Sequence, residues 1–336
     1  MAAQSAHSTV RPPFWMVALA LLTLYITWGS SYLAMRFAIE TFPPFMMAGI
    51  RFTIAGAILY LWQASRGELR LKQAHWQSAF ILGALMLLGA NGGNSWALQL
   101  IPSGLVALLV ASTPLWPTLL NWVGFAKVRP PGPVIFGLVV GFAGLGLLIS
   151  PSEFVGYGSI NPLGVAVVLI AAASWATGSL FSIRMPLPES RILVTAMEMI
   201  AGGVLLLTVS WLPGELPRFH LEALTPRAIG IMTYLVFVAA VALPCYVWLI
   251  KVVPPAIATT YAYVNPVLAV ILGWAIGGEP LTPQIAIAGA IILAAVVVIT
   301  VTPQRQPISA TAGNPSKSAA TTDAPLAPSA DDPSVH

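Results

Sequence analysis

Two ionisable residues, Arg51 and Glu198, stand inside long apolar runs. Groups of this kind bind an oppositely charged ligand or carry a proton. A charge at such depth in a bilayer costs roughly 2.5–3.5 kcal/mol on insertion scales, so each is expected to face a cavity or a partner. Arg51 suits substrate contact, and Glu198 suits substrate contact or proton coupling. A structural ion pair would account for both, and snorkelling to the headgroups for Arg51 alone. A second group is the run Asn91-Gly92-Gly93-Asn94-Ser95-Trp96. Its glycines allow close backbone approach while its amides offer donors and acceptors, with Asn94 the better candidate for lining a cavity. Interhelical hydrogen bonding is the alternative reading. A third is Thr259-Thr260-Tyr261-Ala262-Tyr263-Val264-Asn265-Pro266. Proline frees a carbonyl one turn back, and polar neighbours such as Asn265 can re-satisfy the backbone. Tyr261 and Tyr263 are two apart, so one of them is expected to pack rather than face a cavity. Finally, Trp28 and Trp175 open the polar segments Gly29-Ser30-Ser31-Tyr32 and Ala176-Thr177-Gly178-Ser179. Rings there stack on a substrate, gate it, or pack against small residues.

The elements that must hold these residues follow from composition. Hydrophobic residues make up 57% of the chain and charged residues 8%, too little polar surface to cover a water-soluble globule. The mean hydropathy of +0.85 agrees. Backbone in a bilayer must satisfy its own hydrogen bonds, so runs of this length imply helices. The expected class is an all-α polytopic membrane protein with spans at 14–34, 44–63, 77–98, 103–122, 132–150, 161–183, 191–212, 227–249, 254–276 and 281–302. The first run is too long for a signal peptide and is read as a retained helix. The segment 303–336, rich in Ser, Thr, Ala and Pro, is expected to be a disordered tail. Arg and Lys concentrate on one side: Arg11, Arg66, Arg70, Lys72, Lys127, Arg129, Arg184, Arg191, Lys251, Arg305 and Lys317 against Arg36, Arg218 and Arg227. The positive-inside rule then puts both termini in the cytoplasm.

The halves repeat. A shift of 147 carries Trp28 onto Trp175, Gly56 onto Gly203 and Arg51 onto Glu198. A shift of 152 carries Trp96 onto Trp248, Pro102 onto Pro254, Pro114 onto Pro266 and Gly137 onto Gly289. Five helices per unit is an odd number, so the second copy must be inverted, with repeats at 14–150 and 161–302. Inverted repeats of this kind mark secondary transporters, whose substrate site lies near the midplane. The matching prolines suggest paired bends. Gly137-xxx-Gly141 and Gly273-xxx-Gly277 read as helix packing, and Lys127 and Glu279 as interfacial anchors.

Other classes find little footing. The histidines, His7, His75, His220 and His336, fall in loops or tails, and Cys245 is a lone cysteine expected to pack. No nucleotide-binding Gly-Lys-Ser/Thr run, paired intramembrane carboxylates or nucleophile-base set is present, so an enzyme is not expected, nor a metal or cofactor. A membrane-embedded enzyme or a channel remains the alternative class. The expected partners are a small-molecule substrate, protons as a candidate coupling ion, and the lipid bilayer.

Trp28-Gly29-Ser30-Ser31-Tyr32, Arg51-Phe52, Tyr261-Ala262-Tyr263-Val264-Asn265-Pro266 and Gly278-Glu279-Pro280-Leu281-Thr282 together resemble the EamA family of the drug/metabolite transporter superfamily, across 14–302. Glu198-Met199 and Pro43-Pro44-Phe45-Met46-Met47-Ala48-Gly49 look particularly like its bacterial YedA-like exporters. The resemblance implies a ten-helix permease of the bacterial cytoplasmic membrane that exports amino-acid-like metabolites or drug-like compounds. Many relatives end the fourth helix of both repeats with Gly-Glu, where this chain has Ala126-Lys127 in the first.

Overall fold

Prolines open many of the helices, because their fixed φ suits the first turn and the missing N–H has no intrahelical acceptor there. The computed structural model describes residues 13–67, 71–125, 127, 129–149, 160–211, 215–258 and 260–302. Within them α1 runs over Phe14–Ala38 and α2 over Pro44–Ser65. Segment 73–97 forms α3, wound as α over Gln73–Leu82, as π over Gly83–Gly92 and as α again over Gly93–Ala97. Then come α4 (Ser103–Gly124), α5 (Gly132–Ile149), α6 (Pro162–Ser182), α7 (Arg191–Ser210) and α8 (Pro226–Val252). A turn at Pro255–Ala258 precedes α9 (Tyr261–Ala275), and α10 is Pro283–Val301. No strand occurs among the described residues. Helices α1, α2, α4, α6, α7, α8 and α10 are each long and apolar enough to cross a bilayer, and α5 and α9 are shorter apolar helices. All belong to a unit spanning Met1–Gln304. A second unit, Arg305–His336, and with it the expected disordered tail, lies outside the described residues.

The helix starts are satisfied in two ways. Asn161, Ser190, Thr225 and Thr282 cap α6, α7, α8 and α10 with their own side chains. By contrast α2 and α4 follow Pro43 and Pro102 and have no such cap. Carboxylates from the second half of the chain take that place. Glu215 accepts the Phe45 N–H at 3.0 Å, and Glu279 accepts those of Ser103 and Gly104 at 2.7 and 2.9 Å. A negative group there also meets the positive end of the helix dipole. Glu279 is therefore a tie between α9 and α4, where its place at a helix end had suggested an interfacial anchor.

Small residues set the helix pairings. Helix α2 packs along α7, α5 along α10 and α4 along α9; α1 lies against α8 and α9, and α6 against α3 and α4. The α2–α7 crossing leaves no room for a side chain. A Cβ at Gly56 would come within 2.9 Å of the Ile200 backbone nitrogen, and one at Gly203 within 2.7 Å of that of Thr53. These contacts are the same pair read in both directions, since Gly203 follows Gly56 by 147 and Ile200 follows Thr53 by 147. Gly137 and Gly141 sit against Ala295 of α10, as a packing motif should. Gly273 does something else: it clears space for the Glu279 carboxylate.

Breaks in the helices occur where side chains take up the loosened backbone. In α3 the π stretch leaves the Leu85 carbonyl to the Ser174 hydroxyl at 2.7 Å and the Met86 carbonyl to the Asn91 amide at 3.0 Å. Such π segments recur at functional sites. In α4 the chain turns at 111–114, ahead of Pro114, with Ser112 and Thr113 hydroxyls donating to the Leu109 and Val110 carbonyls. The matching proline behaves differently, because Pro266 lies within a continuous α9. The interruption in that half comes earlier, before Tyr261, where Thr260 donates to the Ile257 carbonyl at 2.7 Å. The bends are thus not at equivalent points, contrary to expectation.

Gly56→Leu and Gly203→Leu are each expected to destabilise the protein by about 1–3 kcal/mol through overpacking. Gly230→Leu, which meets nothing within 4 Å, is expected to leave the midpoint near wild type. Thermal melts of detergent-solubilised variants check this, and equal behaviour of all three would contradict the crossing.

Candidate functional site

Arg51 lies seven residues into α2, about 10 Å along the axis at 1.5 Å per residue. It is 5% exposed, so it does not reach the surface to snorkel. Its Nη2 donates to the Asn91 Oδ1 of α3 at 3.4 Å, a long contact, and its Nε has no partner. Asn91 is fixed as the acceptor because its own amide is committed to the Met86 carbonyl. Tyr32 of α1 stands one helical turn beyond Trp28, and α2 packs against α8.

Tyr261 of α9 belongs to a cluster of three rings. Its centroid is 4.7 Å from Trp28 of α1 and 5.5 Å from Tyr246 of α8, and Trp28 and Tyr246 are 5.8 Å apart. Edge-on packing at these separations is the favoured geometry for aromatic pairs. Polar contacts flank the cluster: Tyr25 with Thr260 at 2.6 Å and Ser30 with Tyr234. Tyr263 points elsewhere, packing against the large apolar core that includes Met35, Leu98 and Leu105. Of the two tyrosines, Tyr261 joins the cluster and Tyr263 packs.

The remaining candidates separate. Asn94 and Asn265 each present a buried Oδ1 with no hydrogen-bond partner, and Asn265 is only 7% exposed. Trp175 is 37% exposed on α6 and joins no ring cluster among the described residues, unlike its counterpart Trp28. Glu198 does not pair with Arg51. It is part-buried in α7 and makes no hydrogen bond or ion pair with any described residue. The ion-pair reading of these two residues therefore falls.

A cavity of about 320 Å³ opens where α1, α3 and α9 end and α4 begins, lined by Arg36, Glu40, Gln99, Pro102 and Glu279 among others. None of the candidates named from the sequence lines it. Glu215 lies in the connection after α7, and burial pushes its carboxyl above the usual carboxylate range, against the opposing pull of the Phe45 and Met46 amides and of Arg218.

Comparison with known proteins identifies this assembly. The description "EamA-like transporter family" fits residues 15–150 and 162–301. The chain belongs to the EamA-like transporter family. Among its relatives is the uncharacterized inner membrane transporter YedA of Escherichia coli K12, 39% identical over 285 residues, covering 84% of this chain and 89% of YedA. Another is the uncharacterized transporter YoaV of Bacillus subtilis, 25% identical and covering 87% of this chain and 99% of YoaV. A solved crystal structure shares the fold at a TM-score of 0.55 and 22% identity, over 84% of this chain and 96% of its own. This EamA-like chain is accordingly a membrane transporter.

Three features of the site escaped the sequence reading. Tyr246 carries no motif that would mark it as a partner of Trp28. The two carboxylate ties do carry a signal. Gly67-Glu68-Leu69 and Gly214-Glu215-Leu216 repeat at the 147 shift, although Glu68 and Gly214 lie outside the described residues. At the 152 shift the Glu279 N–H to Gly273 carbonyl bond has a twin in Lys127 to Asn121, both 2.9 Å. The helix ends are alike, yet Lys127 stands for the carboxylate and Pro255, which has no N–H, stands for Ser103. The departure from Gly-Glu thus coincides with loss of one of the two amides that such a carboxylate would bind.

Glu279→Ala is expected to lower the melting midpoint by the equivalent of about 1–2 kcal/mol, the typical worth of a helix cap. A wild-type midpoint would mean that other groups satisfy the Ser103 and Gly104 amides.

Proposed function

We propose that the protein is a secondary transporter that moves small metabolites or amphipathic compounds out of a bacterial cell across its cytoplasmic membrane by alternating access. The reading takes α1–α10 as ten spans in two inverted five-helix repeats, 14–150 and 161–302, with both termini cytoplasmic. One observation carries it: the reciprocal contact of Gly56 with Ile200 and Gly203 with Thr53 at a single sequence shift. Two segments that exchange contacts in this way are related by a two-fold axis, and an odd number of spans per repeat puts that axis in the membrane plane. The other pairings support it, since α1 with α8 corresponds to α6 with α3, and α1 with α9 to α6 with α4.

In this reading the substrate binds between the repeats. Arg51, Asn94, Asn265, Trp28 and Tyr261 contact it, Tyr246 completes the ring cluster, and Trp175 lines the path on the opposite repeat. Tyr263 supports the site through packing. Glu198, unpartnered within α7, couples transport to protons. The outward direction rests on resemblance to bacterial exporters, and the inner-membrane location on the kinship with YedA.

Proteoliposomes loaded with an unlabelled substrate are expected to draw in labelled substrate transiently, a counterflow that requires a carrier. Passive leak without counterflow would contradict the proposal. Glu198→Gln is expected to abolish accumulation driven by a proton gradient while leaving exchange intact. An unchanged pH dependence in that variant would remove Glu198 from coupling.

A further inference from the structure

The guanidinium of Arg51 is the one Lys or Arg cation buried among the described side chains, and it lies over the Phe52 ring, 4.4 Å from its centroid. Glu215 and Glu279 hold helix N-termini, and no carboxylate of the described residues forms an ion pair with Arg51. Asn91 offers one long contact to a single nitrogen, and the Nε is left without an acceptor. A buried cation in that state lacks an anion. Two parallel N–H groups of a guanidinium match the two oxygens of a carboxylate, a pairing that gives both strength and orientation. Helix α2 packs against α8, which carries Tyr246, and Tyr246 with Trp28 and Tyr261 forms a surface suited to an apolar or aromatic body.

We propose that Arg51 is the carboxylate subsite of the transporter, so that its substrates are monoanionic acids whose apolar or aromatic body rests on the Trp28–Tyr246–Tyr261 cluster. The proposal rests on the central-site reading above and narrows it. Asn91 acts as a positioning residue, holding the guanidinium edge-on to the incoming acid. Lipophilic cations are excluded from the site, since they would meet Arg51 with like charge.

The test compares acids with neutral isosteres on the full chain in nanodiscs. The probes are 3-phenylpropionate and indole-3-acetate, with the corresponding amides, followed by thermal shift and by quenching of tryptophan fluorescence. Acids are expected to stabilise the wild type by mass action and to bind roughly tenfold or more tightly than their amides, as hydrogen bonds to charged groups imply. Arg51→Gln is expected to erase this preference while retaining weak amide binding, and Arg51→Lys to recover part of it. Amides that bind as well as acids in nanodiscs and show counterflow in proteoliposomes would overturn the carboxylate subsite while leaving the transporter reading in place. An Arg51→Gln protein that folds and still prefers acids would also overturn it. So would an absence of any acid-dependent stabilisation in the wild type. The acid-to-amide ratio in the wild type decides the matter even if the Arg51 variants fail to fold.

Discussion

Inside a bilayer no water is available to a loosened backbone group, so every departure from regular helix must be answered by a side chain or a neighbouring helix. The departures seen here obey that constraint. Ser174 and Asn91 take the carbonyls that the π-wound part of α3 gives up, and Ser112 and Thr113 do so where α4 turns. The starts of α2 and α4, which lack their own caps, receive Glu215 and Glu279 from the other half of the chain. Because these answers cross between helices, the irregular points also fix how the helices sit together.

Some groups stay unanswered. Arg51 Nε, Asn94 Oδ1 and Asn265 Oδ1, on α2, α3 and α9, are buried without partners, as are Thr53 Oγ1, Ser103 Oγ and Glu215 Oε2. Unpaired buried polar groups cost free energy comparable to a lost hydrogen bond or more, so their persistence calls for a reason. For the three at the proposed site, a transported ligand that brings an acceptor to Arg51 and N–H or O–H donors to the two amide oxygens provides one. The aromatic cluster supplies the complementary part, an apolar surface with defined edges.

Much of the helical layout was legible in the residues, because apolar runs bounded by prolines leave few places for a helix to begin. Trp28 with Trp175 and Gly56 with Gly203 share a sequence shift of 147. The α2–α7 contacts later fell at that same shift. Other features were hidden for physical reasons. A charge at a helix end looks cheap in sequence, so the tie made by Glu279 was read as an anchor. Proline signals a weakened helix but not where it yields, and Pro266 sits in unbroken helix while the chain parts before Tyr261. Periodicity does not distinguish π from α winding over ten residues such as Gly83–Gly92. Pairing across helices, as between Trp28 and Tyr246, is set by three-dimensional packing and leaves no local trace.

The central claim is that one site is reached from the two sides of the membrane in turn. The lone Cys245 makes this accessible to a direct measurement. In a Cys245→Ala background, Ser31→Cys places a single thiol beside Trp28, and its labelling by an impermeant maleimide can be followed in right-side-out and in inverted vesicles. Alternating access predicts labelling from both faces, with substrate slowing both. Labelling confined to one face under every condition would contradict the account.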